Sequence, residues 1–225
     1  MKKPEQTLTY ETLSVAQLES ILSLQKTVIE ALPDQRVLQP LSEEEFLFIL
    51  NGSGLMIGLF DQGELIAFRA LLAPPVDADD HLGKDFGLSG KELANVIYQE
   101  ISVVHPDYRG QNLQKKMASF IMKELETAEH PYRYVCCTVA PFNIPSLKDK
   151  FAQGMKIVSM KAKYGGHLRY TFMKEIGQPA TRYSHAISVP MADTERQQEL
   201  LRQGMYGVGM ALEKKEWVLF FVDEN

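Results

Sequence analysis

Cysteine is nearly missing from this chain: its 225 residues contain only two, Cys136 and Cys137, side by side. Adjacent cysteines cannot close an ordinary unstrained disulfide, and two thiols do not make a zinc centre, so the core must hold the fold and no metal is expected. Long apolar runs are missing too. None approaches the roughly 20 residues that a bilayer-spanning helix needs. Lys2 and Lys3 are followed by polar residues where a secretory leader would carry its apolar segment. A cytoplasmic protein with no membrane partner is expected. Basic clusters are no longer than a pair, and 24 Lys and Arg against 29 Asp and Glu leave a formal charge of −5. That balance argues against nucleic acid or anionic lipid as the main partner.

The most informative stretch is Val104-His105-Pro106-Asp107-Tyr108-Arg109-Gly110-Gln111-Asn112-Leu113-Gln114. Upstream, Ile97, Ile101, Val103 and Val104 read as a β-branched strand. Downstream, Leu113, Met117, Phe120, Ile121 and Leu125 recur at helical spacing on one face. A strand that hands over directly to a helix leaves the first-turn amides unpaired and partly positive, which suits a phosphate. Gly110 allows close approach to the backbone, and Arg109 adds charge.

The rest of the chain reads as alternating elements. Leu8 to Leu13 is a first strand, and Ser14 caps a helix whose Leu18, Ile21, Leu22, Leu24 and Ile29 form a broad apolar face ended by Pro33. Ser42 and Glu45 have capping-box spacing ahead of Phe46, Leu47, Ile49 and Leu50. Leu55 to Phe60 and Glu64 to Leu72 flank Asp61-Gln62-Gly63, a hairpin sequence. Residues 74 to 94, with Asp77, Asp79, Asp80 and Asp85, are expected as a long polar loop. A strand at about Tyr132 to Val139, a helix at about Pro145 to Gln153, and a hairpin of Lys156 to Met160 with Leu168 to Met173 follow.

The junction string resembles the GNAT superfamily of acyl-CoA-dependent N-acetyltransferases, whose signature reads Arg or Gln, two residues, Gly, one residue, Gly or Ala. Arg109 takes the first position, while Asn112 and Gln114 stand where the family has Gly and Gly or Ala. Asn tolerates positive φ at a cost on the order of 1 kcal/mol. Gln114 must point away from a diphosphate or offer its amide as a donor. The order of elements is that of the mixed α/β sheet of this fold over about residues 6 to 176, so the fold class expected is α/β (α+β with a mixed sheet).

The resemblance implies acetyl-CoA, or another acyl-CoA, as co-substrate. Its diphosphate would lie on Arg109, Gly110, Gln111, Asn112, Leu113 and Gln114, and its pantetheine arm along the main chain of Val103 and Val104. A second family segment runs from Asn143 to Met155. Asn143 there caps a helix and, with Ser146, is placed to meet the pantetheine, and Lys150 stands where a Tyr often donates the proton to the departing thiolate. A lysine can do this, yet a lysine on a helix surface is more commonly solvated. Glu100, nine residues before Arg109, stands where many members carry the base that deprotonates the amine; its plainer reading is an ion pair at the sheet end. The acceptor would pass Arg36, Gln39 and the Asp77, Asp79, Asp80 and Asp85 group, which would be acidic walls for a cationic amine or simply a solvated loop.

Residues 1–176 are therefore expected as a GNAT-like acetyltransferase domain. Residues 177–225 are expected as a β-α-β-β extension too small to bury its apolar stretches alone, docked on the main sheet or a partner subunit, so that a homodimer is expected. Two functions fit: acetyl transfer to a small-molecule or peptide amine by direct attack, or a catalytically weak acyl-CoA-binding sensor or scaffold.

Overall fold

A computed structural model describes residues 8–33, 38–127, 131–178 and 185–223. Its contacts divide the chain between two units, Met1–Pro74 with Ile97–His130, and Pro75–Val96 with Pro131–Asn225.

In the first unit, turn chemistry sets the sheet. Gln62 and Gly63 both have positive φ, 51° and 84°, the handedness that joins two twisted strands in a tight hairpin. That hairpin links β2 (Gly54–Asp61) to β3 (Glu64–Leu72); β1 (Leu8–Thr12) pairs antiparallel with β2, and β4 (Val96–Val104) with β3. Ser14 and Gln17 form a capping box on a 3-10 turn that leads into α1 (Leu18–Glu30). Ser42 and Glu45 do the same for α2 (Glu43–Phe48). Ile21, Leu24 and Val28 of α1 and Phe46 of α2 pack with Met56, Phe68, Ala70, Ile101 and Val103 of the sheet. Because side chains alternate along a strand, Arg69 and Ser102 face the other side. There α3 (Leu113–Thr127), which buries Leu113, Met117, Ile121 and Leu125, packs on β2 and β3.

One irregularity falls at Glu100. Ala70 lies opposite Ile101 and Leu71 opposite Gln99, so Glu100 is an extra residue on β4, a β-bulge. Bulges bend a strand and re-aim a side chain.

The second unit begins with residues 75–96, which include most of the 74–94 stretch expected as a long polar loop. It instead folds into two 3-10 turns, Leu82–Phe86 and Gly90–Asn95, and buries His81, Leu82 and Leu93. Its anchor is Asp85, whose carboxylate takes Lys161 at 2.8 Å, Lys163 at 3.1 Å and the Thr171 hydroxyl at 2.6 Å. Thereafter come β5 (Tyr134–Val139), α4 (Ile144–Ala152), β6 (Lys156–Lys163), β7 (His167–Glu175), β8 (Ile187–Pro190), α5 (Thr194–Arg202), β9 (Tyr206–Glu213) and β10 (Glu216–Val222). The strands of this unit stand in the order β5-β7-β6-β9-β10-β8, each antiparallel to its neighbour. The 177–225 segment thus adds its strands at the β6 edge through β9. Among the described residues no helix is long and apolar enough to cross a membrane.

Candidate functional site

In the first unit β4 leads straight into a turn. His105 donates its amide to the Ile66 carbonyl at 2.8 Å, and its ring Nδ1 accepts from the Asp107 amide at 3.3 Å. His105 thus starts the 3-10 turn Pro106–Tyr108, which gives it a structural role. The Tyr108 hydroxyl donates to Asp61 at 2.8 Å, tying the turn to the β2–β3 hairpin.

Arg109 is extended and exposed, and Gly110 follows at φ 79°. A Cβ built on Gly110 meets nothing within 4 Å, so the glycine serves the backbone angle and leaves open space in front of the turn. Asn112 has φ 57° and its carbonyl accepts the Lys116 amide at 3.1 Å, which makes it the residue that starts α3. The non-glycine residue in the signature therefore takes the left-handed conformation that asparagine tolerates best. Buried Leu113 anchors the first turn, Gln111 and Gln114 are half-buried, and the leading amides of α3 have no acceptor within the helix. Val103 and Val104 are buried on β4, opposite Phe68 and Ala67 of β3. Glu100 is half-buried at the bulge. Glu100, Val103, Val104 and residues 109–114 thus all lie along one strand and the helix that follows it.

Sequence reasoning missed Arg69. It is the one charge inside the apolar β3 run and is 1% exposed. Its Nη2 donates to Gln99 Oε1 at 2.7 Å and its Nη1 to the Gln114 carbonyl at 3.2 Å, which ties β4 to the first turn of α3. A buried cation therefore lies against the first turn of α3, whose leading amides have no acceptor within the helix. A charge in a run that otherwise reads as core was the available signal, because burying one demands hydrogen-bond partners.

A cleft of about 630 Å³ also opens in this unit, lined by Glu19, Ser23 and Thr27 of α1, by Gln62 to Leu65 at the hairpin, and by His105. Glu100 is not among its lining residues.

In the second unit, Asn143 caps α4, its Oδ1 accepting from the Ser146 amide at 3.3 Å, and Ser146 is half-buried. Lys150 is not the solvated surface lysine of the plainer reading: its side chain is 12% exposed and its ammonium lies 3.2 Å from the Asp149 carboxylate. Gln153 donates to the same carboxylate at 2.8 Å, so Asp149 is fixed from two sides. The acidic wall expected from the 74–94 loop is reduced by its anchor. Asp77, Asp79 and Asp80 are exposed, whereas Asp85 is spent on Lys161, Lys163 and Thr171. Gln39 is exposed, and Arg36 lies outside the described residues. Cys136 and Cys137 are buried, and burial, with lesser contributions from Cys137 and Asp85, pushes the Cys136 thiol well above its ordinary range. A thiol kept protonated is a poor nucleophile. Among the described residues no cluster of His, Cys, Asp and Glu could hold a metal ion.

No family model and no curated protein matches the chain. Solved structures do. The ribosomal-protein-S18-alanine N-acetyltransferase of Escherichia coli is similar over 80% of this chain and 100% of its own, at TM-score 0.57 and 15% identity. Arabidopsis thaliana NAA60, solved in complex with acetyl-CoA, is similar over 76% of this chain and 100% of its own, at TM-score 0.60 and 17% identity. The yncA protein of Salmonella typhimurium, solved with its cofactor acetyl-CoA, gives TM-score 0.55 at 13% identity over 80% of this chain and 99% of its own. The chain has the mixed α/β fold of the GNAT acetyltransferases.

Proposed function

We propose that the protein is a cytoplasmic acyl-CoA-dependent N-acetyltransferase that moves an acetyl group from acetyl-CoA to a primary amine of a small molecule or peptide by direct attack. The observation that carries this reading is the turn between β4 and α3. Gly110 and Asn112 hold positive φ, the space before Gly110 is open, the first-turn amides of α3 lack acceptors within the helix, and Arg69 lies buried with its guanidinium on the Gln114 carbonyl. That chemistry suits a diphosphate, with Arg109 at its rim and Gln111, Leu113 and Gln114 supplying main-chain groups. The main chain of Val103 and Val104 would carry the pantetheine arm.

In this reading Glu100, on the bulge, takes a proton from the alkylammonium. The freed amine forms a bond to the thioester carbonyl carbon and its nitrogen gives up a second proton, the C–S bond breaks with its electron pair on sulfur, and the thiolate takes up a proton, leaving the amide and the free thiol. A positioned base contributes about 10² to 10⁴ in rate. The donor to the thiolate is assigned to Lys150 by motif position, as Asn143 and Ser146 are assigned to the pantetheine. That one similar structure bears the name of a ribosomal-protein alanine N-acetyltransferase, and that NAA60 was also solved with a bisubstrate analogue, supports keeping a peptide amino group among the acceptors.

A second reading, a coenzyme-binding sensor without turnover, is favoured by one observation: the Lys150 ammonium is already paired with Asp149. The test is free-thiol release from acetyl-CoA and from longer acyl-CoAs across an amine panel, run beside thermal shift with CoA. Release with an amine supports the enzyme, and a CoA-dependent shift without release on any amine supports the sensor. Neither response removes both.

A further inference from the structure

The 187–222 segment repeats the chain fifty residues before it, element by element. Asn143 and Asp193 each cap a nine-residue helix, accepting from the amide three residues on, at 3.3 Å from Ser146 and 3.1 Å from Arg196. Both helices close on Gln-Gly-Met: Gly154 has φ 73° and Gly204 φ 86°, and the Met155 and Met205 amides reach back to the Lys150 and Leu200 carbonyls, each at 3.1 Å. This is one helix-ending motif used twice. An eight-residue strand follows each time, then a hairpin return.

The strand order β5-β7-β6-β9-β10-β8 reads the same from both ends once β8, β9 and β10 are matched to β5, β6 and β7. At the middle, β6 and β9 run antiparallel with Ile157 opposite Gly207, two equivalent residues facing each other. The Lys156 ammonium sits 3.8 Å from the centre of the ring of its own equivalent, Tyr206. The helices exchange partners reciprocally, α5 packing on β6 and α4 on β9. Gln198 donates to the Met160 carbonyl at 3.1 Å, while its equivalent Lys148 lies over Trp217 at 4.8 Å. Fully buried Gln197 accepts from the Tyr170 hydroxyl at 2.7 Å, fastening the second copy to the first.

We propose that this segment is an internal second copy of the β5–α4–β6–β7 module, docked on the first about a local two-fold axis, so that the chain closes its own β6 edge and does not pair through it with a second molecule. An open strand edge invites pairing, and an identical edge from a second chain would close it with Ile157 against its own counterpart. The internal copy offers glycine there. A Cβ at position 207 would lie 3.0 Å from Ile157 Cδ1 and 3.1 Å from its Cβ, so the axis has room for one isoleucine and not for two. The copy keeps the caps and turns that build the module and drops residues the proposed site uses, with Asp193 for Asn143 and buried Leu200 for Lys150.

Cross-linking tests this. Cysteines at directly paired antiparallel positions are within disulfide reach, and the native thiols are buried. In the full chain, Ile157→Cys alone should stay monomeric under oxidation, and Ile157→Cys with Gly207→Cys should form an internal cross-link at monomer mass. The double variant also removes the side chain that crowds position 207. A covalent dimer from either variant, or no cross-link in the double variant, overturns the proposal. On the unmodified chain, hydrogen-exchange protection of peptides 156–163 and 206–213 should be unchanged on dilution, and protection lost on dilution overturns it equally.

Discussion

Asp85 makes the sharpest stability prediction. Its carboxylate is 6% exposed and is held by Lys161, Lys163 and Thr171, and Lys163 is itself only 9% exposed. Asp85→Asn keeps the shape and removes the charge, leaving the Lys163 ammonium buried without its counter-ion. Breaking a buried pair costs about 3–5 kcal/mol, and the low end applies because Lys161, 55% exposed, keeps its water. About 3 kcal/mol corresponds to roughly 6–12 °C of melting temperature for a chain of this size. The pH dependence has a definite sign. Burial alone would raise the Asp85 pKa, but the hydrogen bonds from Lys161 and Thr171 and the charges of Lys163 and Lys161 outweigh it, so the carboxyl is held below its ordinary value. Stability from this group is therefore fully present above the unfolded pKa of about 3.9 and is lost as pH falls through the lower folded value. Melting curves of wild type and Asp85→Asn should differ most near neutral pH and converge in acid. A variant that melts with wild type at neutral pH would refute the anchor, and a gap that stays constant into strong acid would refute its electrostatic origin.

Glu100→Gln should lower turnover a hundredfold or more while coenzyme affinity stays within a few-fold, and an unchanged rate removes it from the mechanism. Gly110→Val, a β-branched residue at φ 79° in the turn between β4 and α3, should weaken coenzyme binding at least tenfold by calorimetry, and unchanged affinity would place the diphosphate elsewhere. Arg69→Met, which leaves Gln99 Oε1 and the Gln114 carbonyl without their donor, should lower the melting temperature and also weaken CoA several-fold; a loss of stability with intact affinity would make it a structural residue only. Native protein at neutral pH should not react with a thiol reagent, whereas unfolded protein should show two thiols; rapid native labelling would reopen a covalent route.

Local signals carried most of the fold. The Ser42–Glu45 capping box, the Asp61-Gln62-Gly63 turn and the spacing of Leu113, Met117 and Ile121 each act within a few residues, and each element formed where its signal stands. The order of strands and helices, including the strand-helix-strand-strand tail, followed from such signals. What was not legible depends on register or on distant partners. Nothing local marks Glu100 as the bulge, because a bulge is a relation between two strands. Asp85 looked like one more acid in a polar loop, since its lysines lie over seventy residues away. Arg69 was hidden by the apolar run around it. The repeat leaves only a short mark in the sequence: Gln153-Gly154-Met155 and Gln203-Gly204-Met205 match, but the strands around them have diverged.

The central claim is that the turn opening α3 binds a diphosphate, and calorimetry with CoA beside pantetheine, which lacks the nucleotide and diphosphate, tests it most directly. The account predicts that CoA binds much more tightly than pantetheine and that Gly110→Val removes most of that advantage. Equal affinity for the two ligands, or an advantage for CoA that survives Gly110→Val intact, would contradict it.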